Sequence, residues 1–144
     1  YFYNTLTGID SKQIREMPVA EEMQMGMSLG LALEGYLPIS IFQRMDFLLR
    51  AADQLVNHLD KIYTMSRGIF RPKVIIRTTI GSVEPLNPGP QHCQDLCSAF
   101  RSMINIPIIR MTTVDEVKKA YNKARKTKDS IILVEEQSLY YNND

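Results

Sequence analysis

The sequence predicts an α/β fold of three layers, a mostly parallel sheet with helices on both faces. Two observations carry this. Apolar, β-branched runs alternate with amphipathic stretches along the chain, the pattern of strands and helices taking turns. The amphipathic stretches are long enough to serve as crossovers, which favours parallel pairing of the strands they join. At 144 residues, with 44% hydrophobic and 23% charged content, the chain is sized for one domain with a buried core. No internal repeat or low-complexity tract interrupts the pattern.

Residues 21–34 have helical composition, with Glu21 and Glu22 in the first turn, where the helix dipole favours acids, and Gly35 as a stop. Residues 37–42 read as a short buried strand. Asp46 is placed to cap a second helix, in which Leu48, Ala51, Leu55, Leu59 and Ile62 recur at steps of three and four and define one buried stripe. Residues 73–80 are rich in β-branched side chains and predict an interior strand. The Gly- and Pro-rich loop GSVEPLNPGP follows, and loops after strand C-termini are where α/β sheets place ligands. Residues 91–103 predict a helix and 106–111 a strand. Thr113, with Glu116 three residues on, forms a capping box for a helix through about Lys126. Residues 130–135 close the series as a strand.

The formal charge of +1 and the scattering of Lys and Arg argue against a surface for nucleic acid or anionic lipid. Cys93 and Cys97 are four apart, without CxxC spacing or neighbouring histidines, so they read as free thiols of a reducing compartment rather than zinc ligands. No segment approaches the ~18 apolar residues of a membrane span, and no signal-peptide series is present. The expectation is a soluble intracellular protein, cytoplasmic or, in a eukaryote, in an organelle matrix. The aromatic start Tyr1-Phe2-Tyr3, without an initiating methionine, leads us to expect an upstream piece.

Few residues stand out for chemistry. Gly26 and Gly30 lie four apart inside the first helix, each costing about 1 kcal/mol relative to alanine. Close approach of another backbone is the usual reason, and the residues alone do not say whether that backbone belongs to the same domain or to a second chain. Nor do they separate Glu21 from Glu22 as more than solvated first-turn acids. Spacing alone makes Phe47 an ordinary core or helix-flanking residue. A lone His92 is more often structural or exposed, although its place at a strand-loop-helix junction suits a proton donor.

A resemblance separates these candidates. PVAEEMQMGMSLGLALEGYLP is similar to the transketolase superfamily pattern of glutamate, four residues, glycine, apolar, two residues, glycine, apolar. The likeness continues through FQRMDFLLRAADQLVNHLDKIYTMSRG, KVIIRTTIG, GPQHCQ and SIILVEEQSLYY, which resemble the beta subunits of 2-oxo acid dehydrogenases, and it covers nearly the whole chain. It implies the pyrimidine-binding domain of the thiamine diphosphate fold over residues 1–144, lacking the family's opening helix and the C-terminal domain that follows.

The resemblance also implies roles. Glu21 matches the glutamate that hydrogen-bonds a ring nitrogen of the cofactor's aminopyrimidine and favours its imino tautomer, whose nitrogen can deprotonate the thiazolium carbon. Phe47 matches the aromatic that stacks on that ring, with Met45 and Phe42 as weaker candidates for the same pocket. His92 matches the substrate-side histidine, although Cys93 replaces the usual serine after it, which puts any role of that hydroxyl in doubt. Arg77, Thr79 and Gly81 resemble pocket framework, Thr79 standing where proline is common. His58, on the polar side of its helix, is assigned no chemistry.

The family's Gly-Asp-Gly metal motif is absent from this sequence, and Asn142-Asn143 is a tail dipeptide without that upstream partner. The diphosphate and its magnesium are therefore expected on a diphosphate-binding alpha-type subunit or a missing domain. The first helix, through Gly26 and Gly30, is the expected homodimer contact. The implied function is the pyrimidine-binding half of a thiamine diphosphate enzyme that decarboxylates a 2-oxo acid or transfers a two-carbon unit, inactive alone. A non-catalytic regulatory or assembly subunit of the same fold is the alternative. A nucleotide-binding domain is disfavoured because no Gly-rich phosphate loop follows a strand.

Overall fold

The structure, a computed structural model, describes residues 3–81, 83–84 and 87–140. Tyr1, Phe2, Asn142-Asn143 and positions 82, 85 and 86 of the Gly- and Pro-rich loop lie outside the described residues. Four parallel strands form one sheet in the order β1-β2-β4-β3: β1 (Ile39–Ile41), β2 (Ile75–Ile80), β3 (Ile108–Met111) and β4 (Ile131–Glu136). Ile75 pairs with both Ile39 and Ile131, and Ile109 pairs with Leu133. The interior pair β2 and β4 is the most buried, as expected of strands covered on both faces.

Alternation along the strands divides the core in two. Ile76, Ile80, Ile132 and Val134 face α1 (Glu21–Leu33), the irregular helix over 45–65 and α4 (Cys97–Met103), around Met25, Leu55 and Phe100. Ile75, Ile131 and Leu133 face α5 (Val114–Lys126) through Ala120 and Ala124. The predicted layering is the observed one.

Helix ends follow local chemistry. At the end of α1, Tyr36 N–H donates to Leu31 O and Gly35 N–H to Ala32 O, with Gly35 at φ 88°, the Schellman arrangement that glycine permits. At the start of α5, Thr113 Oγ1 accepts from Glu116 N–H while Glu116 Oε2 accepts from Thr113 N–H, completing the predicted capping box.

Four expectations change. The strand expected over 37–42 is three residues long and lies at the sheet edge, where Ile39 remains 52% exposed. The helix expected over 91–103 divides into a 3-10 turn, Pro90–His92, and α4, because one local and one long-range hydrogen bond divert the backbone between them. Asp95 Oδ1 accepts from Cys97 N–H, and Gln94 donates to Asp46.

Asp46 itself is not a cap. Arg44 holds that position without a side-chain bond, and Asp46 turns inward, 8% exposed. The helix it begins keeps its predicted stripe, with Leu48, Ala51, Leu55 and Leu59 buried and Ile62 packed against them. Its geometry is mixed, however. α2 (Met45–Leu48) runs into a 3-10 turn at Leu49–Ala51, a π segment at Gln54–Leu59 and then α3 (Ile62–Met65), a variation in hydrogen-bond step that the apolar spacing does not reveal.

Candidate functional site

Glu21 is the first residue of α1, and polar contacts to β1 fix that helix. Gln24 Nε2 donates to Ser40 Oγ at 3.1 Å and to the Ile41 carbonyl at 2.9 Å. Ser28 Oγ donates back to the Gln24 carbonyl at 2.8 Å. None of these three was singled out in the sequence; the signal available was a glutamine one turn after Glu21, on the same helical face.

Thus anchored, the Glu21 side chain is 12% exposed, and its Oε2 accepts from Arg50 Nε at 3.1 Å. Glu22 is exposed, so the structure distinguishes two acids that composition could not. Glu21 and Arg50 line an open cleft with Val19, Ala20, Glu22, Met23 and Gln54, so it is burial and the bond to Arg50, not the cleft, that set Glu21 apart. Gly26 lies beneath Gln54, whose Oε1 is 3.4 Å from where a Cβ would sit, while a Cβ on Gly30 meets nothing within 4 Å. The expected close approach of another backbone is thus not found within this domain among the described residues: Gly26 meets a side chain at ordinary contact distance and Gly30 meets nothing.

Phe47 stands in α2, at the C-terminal side of β1. Its ring meets that of His92 edge to face, with centroids 5.6 Å apart and planes at 79°. Both residues are half-buried. The turn carrying His92 starts from Gly89 at φ 88°, a left-handed conformation suited to glycine, and Asn87 Oδ1 accepts from Gly89 N–H at 2.9 Å.

Two charged side chains beside Phe47 hold this turn. Arg44 Nη1 donates to the His92 carbonyl at 2.5 Å and to the Gly81 carbonyl at 3.0 Å. Asp46 Oδ1 accepts from Gln94 Nε2 at 2.8 Å, while its buried Oδ2 has no partner among the described residues. Sequence reasoning missed Arg44 and misassigned Asp46. Their bonds reach segments far along the chain, and only two charges just before Phe47 hinted at them.

The structure thus joins Phe47 to His92, and Glu21 to Arg50, which follows Phe47 by three residues. Among the described residues no hydrogen bond links Glu21 to His92. Phe42 and Met45 are buried in the core rather than set on the site's surface. Met45 Sδ lies 3.9 Å from Cys97 Sγ.

Cys93 is half-buried and Cys97 buried, and neither is in a disulfide. Burial, reinforced by the Asp95 carboxylate, pushes the Cys97 thiol up to about 12, and a thiol so held is inert. His58 is exposed, 3.6 Å from Asp53.

Arg77 makes a two-pronged pair with Glu135, Nε to Oε1 and Nη2 to Oε2, each at 2.9 Å. Thr5, Tyr121 and Tyr140 join the cluster. Burial raises the Tyr121 phenol well above its ordinary value. The cluster ties Thr5 and Tyr140 to β2 and β4, a framework role.

The fit to the implied cofactor is therefore partial. A lightly exposed carboxylate at a cleft and a half-buried aromatic suit a heteroaromatic ring. Among the described residues no group of three or more His, Cys, Asp or Glu side chains is placed to hold a metal, and no helix is long and apolar enough to cross a membrane.

A family model described as the transketolase pyrimidine binding domain matches residues 4–142. The chain is 30% identical over 128 residues to pyruvate dehydrogenase E1 component subunit beta-3, chloroplastic, of Oryza sativa subsp. japonica, covering 89% of this chain and 32% of that protein. It is 31% identical over 128 residues to pyruvate dehydrogenase E1 component subunit beta of Cyanidium caldarium, covering 89% and 38%. To subunit beta-3, chloroplastic, of Arabidopsis thaliana it is 30% identical over 142 residues, covering 96% and 34%. The chain spans about a third of the length of the curated relatives it matches.

Proposed function

Because the chain belongs to the transketolase pyrimidine-binding domain family, we propose that it supplies the aminopyrimidine half of a thiamine diphosphate site in an enzyme that decarboxylates a 2-oxo acid or transfers a two-carbon unit. The observation that carries this reading is the Glu21 carboxylate, anchored at the head of α1 beside an open cleft and held by one side chain, Arg50. The three beta-subunit relatives favour the 2-oxo acid branch.

In this reading Glu21 hydrogen-bonds a ring nitrogen of the pyrimidine and shares a proton with it through a carboxylate oxygen. Phe47 offers its ring as the stacking surface. His92, fixed at its carbonyl by Arg44 and at its ring by Phe47, donates a proton on the substrate side. Bound there, the cofactor supplies a carbon nucleophile for attack on a carbonyl.

The diphosphate and its magnesium fall to an alpha-type subunit or to a further domain, so that residues 1–144 act as one pyrimidine-binding unit. Pairing of two copies through α1 belongs to the same reading. Gly30, Met23, Met27 and Leu31 are exposed on that helix, and small residues admit close crossing. A cytoplasmic or organelle-matrix location accompanies it.

Calorimetry with thiamine diphosphate and magnesium, with and without a candidate alpha-type subunit, tests the reading. Tight binding that requires the second subunit is expected. Binding of a nucleotide and not of thiamine diphosphate would overturn it.

A further inference from the structure

Arg50 sets its guanidinium against the one carboxylate on which the proposed function depends. Its Nε donates to Glu21 Oε2 at 3.1 Å, and the two side chains are unequally held. Glu21 is 12% exposed, whereas Arg50 is 72% exposed and makes no other hydrogen bond or ion pair among the described residues. Glu21 likewise has no second side-chain partner among them.

Both line the same cleft, and Arg50 follows Phe47 by three residues, on the same helical face. A ring edge approaching Glu21 from the cleft meets a carboxylate with one oxygen already engaged. We infer that Arg50 competes with the aminopyrimidine ring for Glu21, a displaceable cover that lowers this chain's affinity for the ring until it swings away. The inference rests on the reading of Glu21 given above. Arg50 is a positioning residue here, acting through the carboxylate rather than on the reacting atoms.

The physical terms set the size of the effect. An ion pair with one end this exposed is weak, so its removal changes affinity by about two- to fivefold. Salt screens such a pair, so raising the ionic strength partly uncovers Glu21.

The probe is 4-amino-2-methylpyrimidine at pH about 8, where the free ring is neutral; binding takes one proton from solvent to bridge its ring nitrogen and Glu21, and Arg50→Gln, with the same proton uptake and no ion pair, is the control for the salt response. It is titrated by NMR into the wild-type chain, Arg50→Gln and Glu21→Gln at salt of about 0.02 M and about 0.5 M. The expected result is binding about two- to fivefold tighter in Arg50→Gln than in wild type at low salt. Wild type gains affinity with salt, Arg50→Gln does not, and Glu21→Gln loses binding. Equal affinity of wild type and Arg50→Gln without a salt response, with binding still lost in Glu21→Gln, overturns the cover and leaves the role of Glu21 standing. Undiminished binding by Glu21→Gln, or no saturable binding by either wild type or Arg50→Gln, overturns both.

Discussion

The rings of Phe47 and His92 meet edge to face with centroids 5.6 Å apart, and that contact joins the first turn after β1 to the turn that follows the loop after β2. Both loops leave the C-terminal ends of parallel strands, where sheets of this type gather ligands. The contact does not stand alone, because Arg44 and Asp46, both just before Phe47, hold the same two segments together.

Arg44 is therefore the residue whose loss should free His92. Hydrogen bonds from charged groups contribute about 1.5–3 kcal/mol, so Arg44→Met should lower unfolding stability by about that amount in urea. The chain has two histidines, and His92→Gln identifies the signal of interest by NMR. In Arg44→Met that signal should move toward its unfolded position. Unchanged stability and an unchanged His92 signal would remove Arg44 from this role.

Asp60 should shape the acid limb of stability. Its carboxyl is 1% exposed, and burial alone would raise it, but hydrogen bonds from Lys61 and from the backbone and side chain of Asn105 outweigh burial and hold it below its ordinary value of 3.8. A carboxyl lowered in the folded state contributes stability above that ordinary value and loses it as pH falls through the folded one. The stability gap between wild type and Asp60→Asn should thus be widest near neutral pH and narrow below pH 3.8. A gap that widened on acidification would contradict this sign.

The two cysteines should differ in reactivity. With the Cys97 thiol buried and pushed up to about 12, a thiol reagent at neutral pH should label Cys93 in the native chain and reach Cys97 on unfolding. Mass spectrometry of the labelled peptides reads this directly. Native labelling of Cys97 at the rate of Cys93 would show that the core around Met45 opens.

Much of the fold was legible because short-range chemistry decides it. Gly35, the pair Thr113 and Glu116, and the stripe from Leu48 to Leu59 each act over a turn or two, and each stands where the sequence predicts. The failures share a different cause. Asp46 reads locally as a cap but is claimed by Gln94, far along the chain. The same bond, with Asp95, splits the helix expected from residue 91. The strand at 37–42 looked buried because the segment is largely apolar, and apolarity does not tell an edge strand from an interior one. At the site, family resemblance picked out Glu21, Phe47 and His92, whereas Arg44 and Arg50 act through contacts that no local pattern encodes.

The central claim is that Glu21 is the carboxyl this chain lends to the cofactor's pyrimidine. The direct measurement is turnover of the assembled complex carrying Glu21→Gln, with thiamine diphosphate and magnesium saturating and folding checked by circular dichroism. Proton transfer by a positioned side chain contributes about 10²–10⁴-fold, and the account predicts a loss of that order. Turnover equal to wild type would contradict it.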